Sequence, residues 1–387
     1  MKLGKRILVV TSDFPYPPNN GGRLDSWGNI LQLKSIGAEI DLFCTVKSQP
    51  DREAVEHVKS VVNQLTIVLR SHGIISMIQM NPFQIESRKA LRTIPLERQY
   101  DFVFMDSDYA TPILDNPTLR ANLTIQRIQN DEANFQLDMA RATRSPFKKA
   151  FHLLDAARFA VYLPKARQRA DWLFFISDHE RAEFVKRHPD RTERSLFVPP
   201  SMDLSTARRR SLAGRRVLFI ATLALPSNQA GLSWYLHNVH PQLLLVEGYD
   251  LLVAGNTLGQ ELGICEEATR TEKVTLIKDP VELEDLYDSG AVFINPVLHG
   301  AGLKLKTVNA LLSGIPAVTT SVGAEGTGFV DGKHIEITDD AKEFAQRIRT
   351  LLHDKERAQG LVSNAQEYIA EKFNTAKIFR KIINGES

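Results

Sequence analysis

The sequence predicts an α/β protein made of two doubly wound parallel-sheet domains. Three observations predict it. A chain of 387 residues is too long for one ordinary core and suits two domains of common size. Apolar runs alternate with segments of helical period along the whole chain, and the alternation starts afresh after Ser201.

In the first half the strand-like runs are "RILVVTS", "EIDLFCTV", "LTIVLRS", "DFVFMDS", "NLTIQRIQN" and "WLFFISD". In the second they are "RRVLFIAT", "DLLVAGN", "KVTLIK", "AVFINPV", "IPAVTTS" and "HIEIT", with helical segments such as "SNQAGLSWYLHNVHPQLLL" between them. Continuous rather than alternating apolar strands, joined by helix-length connections, belong to parallel sheets covered on both faces. The joint falls between Phe197 and Arg216, where prolines and a basic polar stretch separate the two series, giving domains at 1–200 and 201–387. The terminal helical segments "RAQGLVSNAQEYIAEKF" and "AKIFRKIING" precede no strand and are free to pack back across the joint.

Hydrophobic residues at 43%, charged residues at 24% and a formal net charge of +2 describe a globular chain with no call for a nucleic-acid partner. Cys44 and Cys265 lie far apart, so neither a disulfide framework nor a thiolate metal site is expected, and a reducing cytoplasm fits. The amino terminus turns apolar but is broken by polar residues and prolines before a signal-peptide core forms. The longest apolar run, "VLFIATLALP" from Val217, is too short to span a bilayer.

Ligands of open parallel sheets gather at the carboxyl ends of strands, so chemistry is sought in the loops that follow them. In "NPVLHGAGLKLKTVNALLSG" a strand ends near Pro296, Gly300 and Gly302 permit unusual backbone shapes, and a helix starts near Lys306. Free helix-start amides with Lys304 beside them suit a phosphate or diphosphate, although a tight turn with solvated lysines has the same pattern. The loop "DFPYPPNNGGRLDSW" places Gly21 and Gly22 where backbone approaches a ligand, and Arg23 supplies a charge; an ordinary turn reads equally well. It lacks the G-x-G-x-x-G fingerprint, so no nicotinamide or flavin cofactor is expected.

Several segments together carry a resemblance: "PPNNGGRL", "RIQNDE", "FISDHERAEF", "FVPPSMDL", "LALPSNQAGLSWYL" and "GAGLKLKTVNALLSGIPAVTTSVGAEG". They resemble the retaining glycosyltransferases of the GT-B fold, two Rossmann-like domains facing a cleft. They are most similar to the large fourth glycosyltransferase family, in a branch common in bacterial polysaccharide biosynthesis. The resemblance implies a nucleotide diphosphate sugar on the second domain, a glycan or lipid-linked acceptor mainly on the first, and transfer of a hexosyl-type group with retained anomeric configuration. It implies no cofactor and no strictly required metal.

By the same resemblance, Lys304 matches the basic residue on the donor diphosphate, with Gly300 and Gly302 as its loop. Asn130 and Glu132 match the first-domain motif facing the cleft, Gly323, Glu325 and Gly326 match a loop bordering the donor, and "IKDPVELEDLY", which contains Lys278, matches the segment whose backbone reads the nucleobase. The chain also departs from the pattern. His299 and Asn309 stand where relatives often carry two glutamates, and Gln129 stands where they carry histidine. Asn309 can still hydrogen-bond a ribose hydroxyl, and Gln129 can orient a sugar hydroxyl but cannot exchange a proton as histidine does. These departures keep open a non-catalytic sugar-nucleotide or glycan-binding protein, and the architecture also admits a nucleotide-sugar epimerase.

Asp106 and Asp108 have Asp-x-Asp spacing but end a parallel strand, where polar capping is expected and a metal is not. His237 and His240 have helical spacing and read as a solvated helix face. Residues 141–169 carry eight Arg or Lys against Asp155 alone, interleaved with Phe147, Phe151, Leu153, Leu154, Phe159 and Tyr162. Such a helix pair either packs its apolar stripe on the first domain or rests peripherally on the inner face of an anionic membrane.

Overall fold

The computed structural model describes residues 4–71, 79–143, 145–201, 207–208, 214–300 and 303–384, the side chains of 142 and 384 aside. The chain divides into two units. The first comprises Met1–Pro18, Gly22–Met202 and Thr375–Ser387, and the second Asn19–Gly21 and Asp203–Asn374.

In the first unit, β1 (Arg6–Thr11), β2 (Glu39–Val46), β3 (Gln64–Leu69), β4 (Phe102–Met105), β5 (Thr124–Ile128), β6 (Trp172–Phe175) and β7 (Ser195–Phe197) form one sheet in the order β3-β2-β1-β4-β5-β6-β7. Every pairing is parallel. The continuous apolar runs have a direct cause: successive side chains of a strand point to opposite faces, and both faces are cores. Ile7, Val9, Phe102 and Phe104 enter one core, while Leu8, Val10, Val103 and Met105 enter the other. The last helix, Ala376–Asn384, belongs to this unit; its Phe379 meets Phe104 at 5.4 Å and Phe174 at 5.8 Å between ring centroids. The seventh strand is absent from the sequence reading because its three residues, between a basic stretch and two prolines, show no run.

Helices α1 (Gly21–Ser35), α2 (Glu132–Ala142) and α3 (Pro146–Gln168) follow β1 and β5. Two of the segments that carried the family resemblance meet helix α1 in a buried knot. Arg127, fully buried on β5, pairs with Asp25 of α1 at 2.9 Å and donates to the carbonyls of Val198 and Pro199. The Ser201 amide donates to Asp25, and Gly28 packs so tightly on this segment that a Cβ would meet the Ser201 carbonyl oxygen at 2.3 Å. Those motif residues hold the fold; a buried ion pair of this kind stays only because its remaining hydrogen-bonding capacity is satisfied.

The second unit repeats the plan with β8 (Arg216–Ile220), β9 (Asp250–Gly255), β10 (Val274–Lys278), β11 (Val292–Asn295), β12 (Ala317–Thr319) and β13 (Glu336–Ile337) in the order β10-β9-β8-β11-β12-β13. Again all pairings are parallel. Helices α4 (Pro226–Asn238) and α5 (Leu305–Leu312) follow β8 and β11. In each sheet the strand order reverses once, between β1 and β4 and between β8 and β11, and this switch point is where doubly wound sheets bind ligands.

Candidate active site

In the second unit the loop after β11 and the start of α5 rest on close backbone approaches. A Cβ at Gly231 of α4 would meet the Pro296 carbonyl oxygen at 2.5 Å, and one at Gly323 would meet Thr319 Oγ1 at 2.0 Å. Asn295 donates to Thr307 Oγ1 at 3.0 Å and to the Gly323 carbonyl at 3.2 Å, tying α5 to the loop after β12. Gly300 has φ 110°, a conformation that side chains resist.

Two lysines flank the start of α5. Lys304 stands at its N-cap and donates to the Gly300 carbonyl at 2.9 Å; burial lowers its pKa while nearby Glu325 opposes the shift. Lys306, in the first turn, donates to Asn228 Oδ1 at 2.7 Å and lies 5.5 Å from the Phe219 ring centroid. Burial, with Lys304 beside it, pushes its ammonium down to about 7. Helix-start amides and two cations in one place make a site for anionic oxygens. The sequence reading assigns Lys304 alone. The Lys-x-Lys spacing marks Lys306 only once the helix start is fixed at Leu305.

In the first unit a polar cluster gathers where β4 and β5 end. Asp131 caps α2 by accepting from the Asn134 amide at 3.1 Å, which leaves Glu132 at the first helical position without a capping role. Glu132 is buried; the Tyr109 phenol donates to its Oε2 and Asn130 also hydrogen-bonds it. Burial is the largest influence and raises this carboxyl to about 7, with neighbouring Asp108 adding to the rise and the two hydrogen bonds opposing it. Asp108 itself is held by Arg167 at 2.7 Å and Gln126 at 2.6 Å. Arg88, 2% exposed, lies 5.0 Å from the Tyr109 ring centroid and donates to Ser12 O and Thr45 Oγ1 at 2.7 and 2.9 Å. Gln129 buries an Nε2 that has no acceptor among the described residues. A buried carboxyl with a pKa of about 7 can hold a hydroxyl group. Tyr109, Arg88 and Arg167 escape the sequence reading because each comes from a different element and none belongs to a motif.

The remaining expected positions divide. His299, on the loop after β11, and Glu325 and Gly326 are exposed and Asn309 is half-buried on α5, while Gly302 lies outside the described residues. Lys278 ends β10, exposed, 3.9 Å from Glu261. Gly21 and Gly22 are not turn glycines: they open α1, and neither has positive φ. Arg23 is engaged with Asp13 at 2.9 Å. Asp106 and Asp108 face different partners, the former accepting from Ser12 N at 2.9 Å and Ser26 Oγ at 2.7 Å. The reading of His240 as solvated is corrected: it is buried, with Nδ1 on Tyr249 at 2.7 Å and Nε2 on the Glu272 carbonyl at 2.8 Å, whereas His237 is exposed. Helix α3 packs Phe159 and Leu163 inward and leaves Phe147, Leu154 and Val161 at 87, 52 and 65% exposure on its other side. No helix among the described residues is long and apolar enough to cross a membrane.

The chain is similar to known proteins over nearly its whole length. Residues 214–354 match the family described as glycosyl transferases group 1. The chain is 32% identical to an uncharacterized 44.6 kDa protein in the cps region of Klebsiella pneumoniae, over 97% of this chain and 98% of that one. Among solved structures it is similar to Alr3699/HepE of Anabaena, in complex with UDP and glucose, at TM-score 0.65 and 13% identity over 98% of this chain and 99% of that one. It is also similar to sucrose-phosphate synthase of Thermosynechococcus elongatus, at TM-score 0.67 and 14% identity over 98% and 100% of the two chains. TarM of S. aureus, solved with UDP among its ligands, gives TM-score 0.67 at 10% identity over 98% and 99%. With a relative this similar over its full length, the chain belongs to one family with the cps-region protein; its residues 214–354 match the group 1 glycosyl transferases, and its two units have the GT-B fold.

Proposed function

We propose that the protein transfers a sugar from a nucleotide diphosphate sugar to a glycan or lipid-linked acceptor, with retention, in the assembly of a bacterial surface polysaccharide. The observation that carries this is the pair of half-buried lysines at the start of α5, Lys304 and Lys306, one of them held near neutrality by burial. Breaking the bond between sugar and phosphate builds negative charge on the departing diphosphate. Helix-start amides and two ammonium groups stabilise that charge more in the transition state than in the ground state. Retention follows if the departing phosphate oxygen accepts the proton of the acceptor hydroxyl as it attacks the same face of the sugar. In this reading Glu132, with Asn130 and Gln129, orients the hydroxyl, Asn309 holds the ribose, and Glu325 and Gly326 border the donor. The cps-region relative favours a polysaccharide pathway, and the basic helix α3 with its outward apolar stripe favours an acceptor met at an anionic membrane surface.

The test incubates purified full-length protein with UDP-, GDP- and dTDP-sugars, with and without a lipid-linked glycan fraction, and follows nucleoside diphosphate release and product identity. Acceptor-dependent release with an α-linked product from an α-donor is expected. Nucleotide binding without turnover would instead favour the non-catalytic reading, and an isomerised donor formed without acceptor the epimerase.

A further inference from the structure

At the carboxyl end of β1, in the first unit, three arginines from different elements converge on Ser12 and Asp13. Arg23 comes from α1, Arg70 directly follows β3, and Arg88 follows the short helix Phe83–Glu86. Arg70 and Arg88 donate to the same oxygen, the Ser12 carbonyl, the latter at 2.7 Å. Their guanidiniums therefore lie side by side under cover, with the Arg70 side chain 8% exposed and Arg88 buried. Burial lowers the pKa of both, and Arg70 beside it adds to the fall of Arg88 to about 9. Arg88 has only neutral oxygens for partners among the described residues, those of Ser12, Thr45, Gln84 and Ser87. Asp13 bridges Arg23 at 2.9 Å and Arg70 at 3.4 Å, with its side chain 42% exposed. Asp106, the other carboxyl close by, accepts instead from the Ser12 amide and the Ser26 hydroxyl.

Hydrogen bonds to main-chain oxygens explain polar side chains at these positions, but a neutral amide donates to a carbonyl without bringing charge into the interior. Two like charges packed together are costly unless a counter-charge offsets them. Asp13, shared with Arg23 and partly in water, offsets them only in part. Of these five groups, three are guanidiniums and two carboxylates, which leaves one positive charge in excess. One donor is also unused: Arg70 directs Nε to the Thr45 carbonyl and Nη2 to Ser12 and Asp13, while its Nη1 has no acceptor among the described residues. This surplus stands at the switch point between β1 and β4, where a doubly wound sheet receives ligands. Arg88 lies 5.0 Å from the ring centroid of Tyr109, whose phenol donates to Glu132, so the charged end adjoins the cluster suited to a hydroxyl group.

We propose that the acceptor is anionic, and that its carboxylate or phosphate takes the place of Asp13 on Arg70 at the end of β1, making Arg70 a specificity-determining residue of the acceptor site. This rests on the acceptor reading above. A guanidinium with Nη1 open and Nη2 released from Asp13 presents a planar pair of donors that either anion matches, with the Arg88 charge behind it. A neutral sugar in the same place leaves the surplus charge without a partner. Asp13 is an internal stand-in, exposed enough to swing into water when the anion arrives. The anion belongs either to an acidic sugar of the glycan or to the phosphate that joins a glycan to its lipid.

The test follows binding by saturation-transfer NMR, using full-length protein that carries Lys304→Ala and Lys306→Met so that the second unit's lysines do not take up phosphate. Methyl glucuronide probes a sugar carboxylate, glycerol phosphate probes a phosphate, and methyl glucoside is the neutral control. At least one anion should bind about tenfold tighter than the glucoside, the order of a charge-assisted contact. Preference for the glucuronide names an acidic glycan as the source, and preference for glycerol phosphate a lipid phosphate. Arg70→Gln should abolish the preference. Asp13→Asn, which removes the competing carboxylate and keeps every arginine, should strengthen it several-fold. If Arg70→Gln fails to fold, Asp13→Asn decides alone, because a purely structural Asp13 gives no gain in affinity. No preference for either anion over the glucoside, or a folded Asp13→Asn that binds anions no tighter than its parent, overturns the proposal. UDP titration of protein with both lysines intact, run in parallel, tests the donor reading separately, and UDP binding there leaves that reading standing when the anion site fails.

Discussion

Glu132 and Lys306 hold opposite charges in their ionised forms, and burial acts against ionisation in both. For Glu132 the folded-state pKa, about 7, lies above the ordinary carboxyl value of 4.5. The folded protein therefore binds more protons than the unfolded chain between those values, and stability falls as pH rises through that window. Glu132→Gln should flatten this slope, by a few kcal/mol at most, which thermal melts from pH 4 to 8 will read. If ionised Glu132 orients the acceptor, the parent's transfer rate should rise through about pH 7, and the Gln variant should lose that limb while staying folded. For Lys306 the sign is reversed: its folded pKa, about 7, is depressed, so binding of a diphosphate should restore its charge and take up a proton at pH 8. Calorimetry of UDP binding in buffers of different ionisation enthalpy will show that uptake in the parent and its loss in Lys306→Met. At this scale the sequence was only partly legible. Glu132 and Lys304 stand in motifs, but burial is a property of the folded chain. Lys306, Tyr109 and Arg88 acquire their environments from residues such as Asn228 and Thr45 that are distant in sequence.

Elements were far easier to read than sites. Twelve of the strands announce themselves as apolar runs because the central strands of each sheet are buried on both faces, whereas Ser195–Phe197 is too short to show any pattern. Glycines were legible as special but not for the right reason. Gly21 and Gly22 begin a helix, while Gly231, given no role in the sequence reading, lets α4 touch the loop after β11. Gly231→Ala should cost about 2–4 kcal/mol, since the Cβ would strike main-chain atoms that cannot swing aside. Chemical denaturation checks this, and nucleotide binding by the remaining folded fraction should weaken too. Helix α3 raised two readings in sequence, and its inner and outer faces supply a basis for each: Phe159 and Leu163 pack inward, and Phe147, Leu154 and Val161 face out. Replacing those three outward residues by serine should leave melting unchanged and reduce co-sedimentation with vesicles containing phosphatidylglycerol several-fold. Equal sedimentation of parent and variant would mean the stripe meets something other than lipid.

Across the whole molecule, one sheet plan is used twice with different chemistry at the strand ends. The first unit gathers Glu132, Tyr109, Asp108 and Arg167, a network suited to hydroxyl groups, and the second gathers Lys304, Lys306 and helix amides, suited to phosphate. The two-fold plan was visible in sequence because the strand–helix alternation restarts; the division of labour was expected only through the family resemblance, because it depends on which polar side chains are buried. Donor binding of this kind requires that the second unit's lysines receive the diphosphate of a nucleotide. Its most direct test is the affinity of UDP relative to uridine, measured at pH 7 for the parent and for Lys304→Ala with Lys306→Met combined. The parent should favour UDP by at least about a hundredfold, as charge-assisted contacts of this kind provide, and the double variant should lose most of this preference while uridine binds as before. A double variant that still favours UDP as strongly as the parent would contradict it.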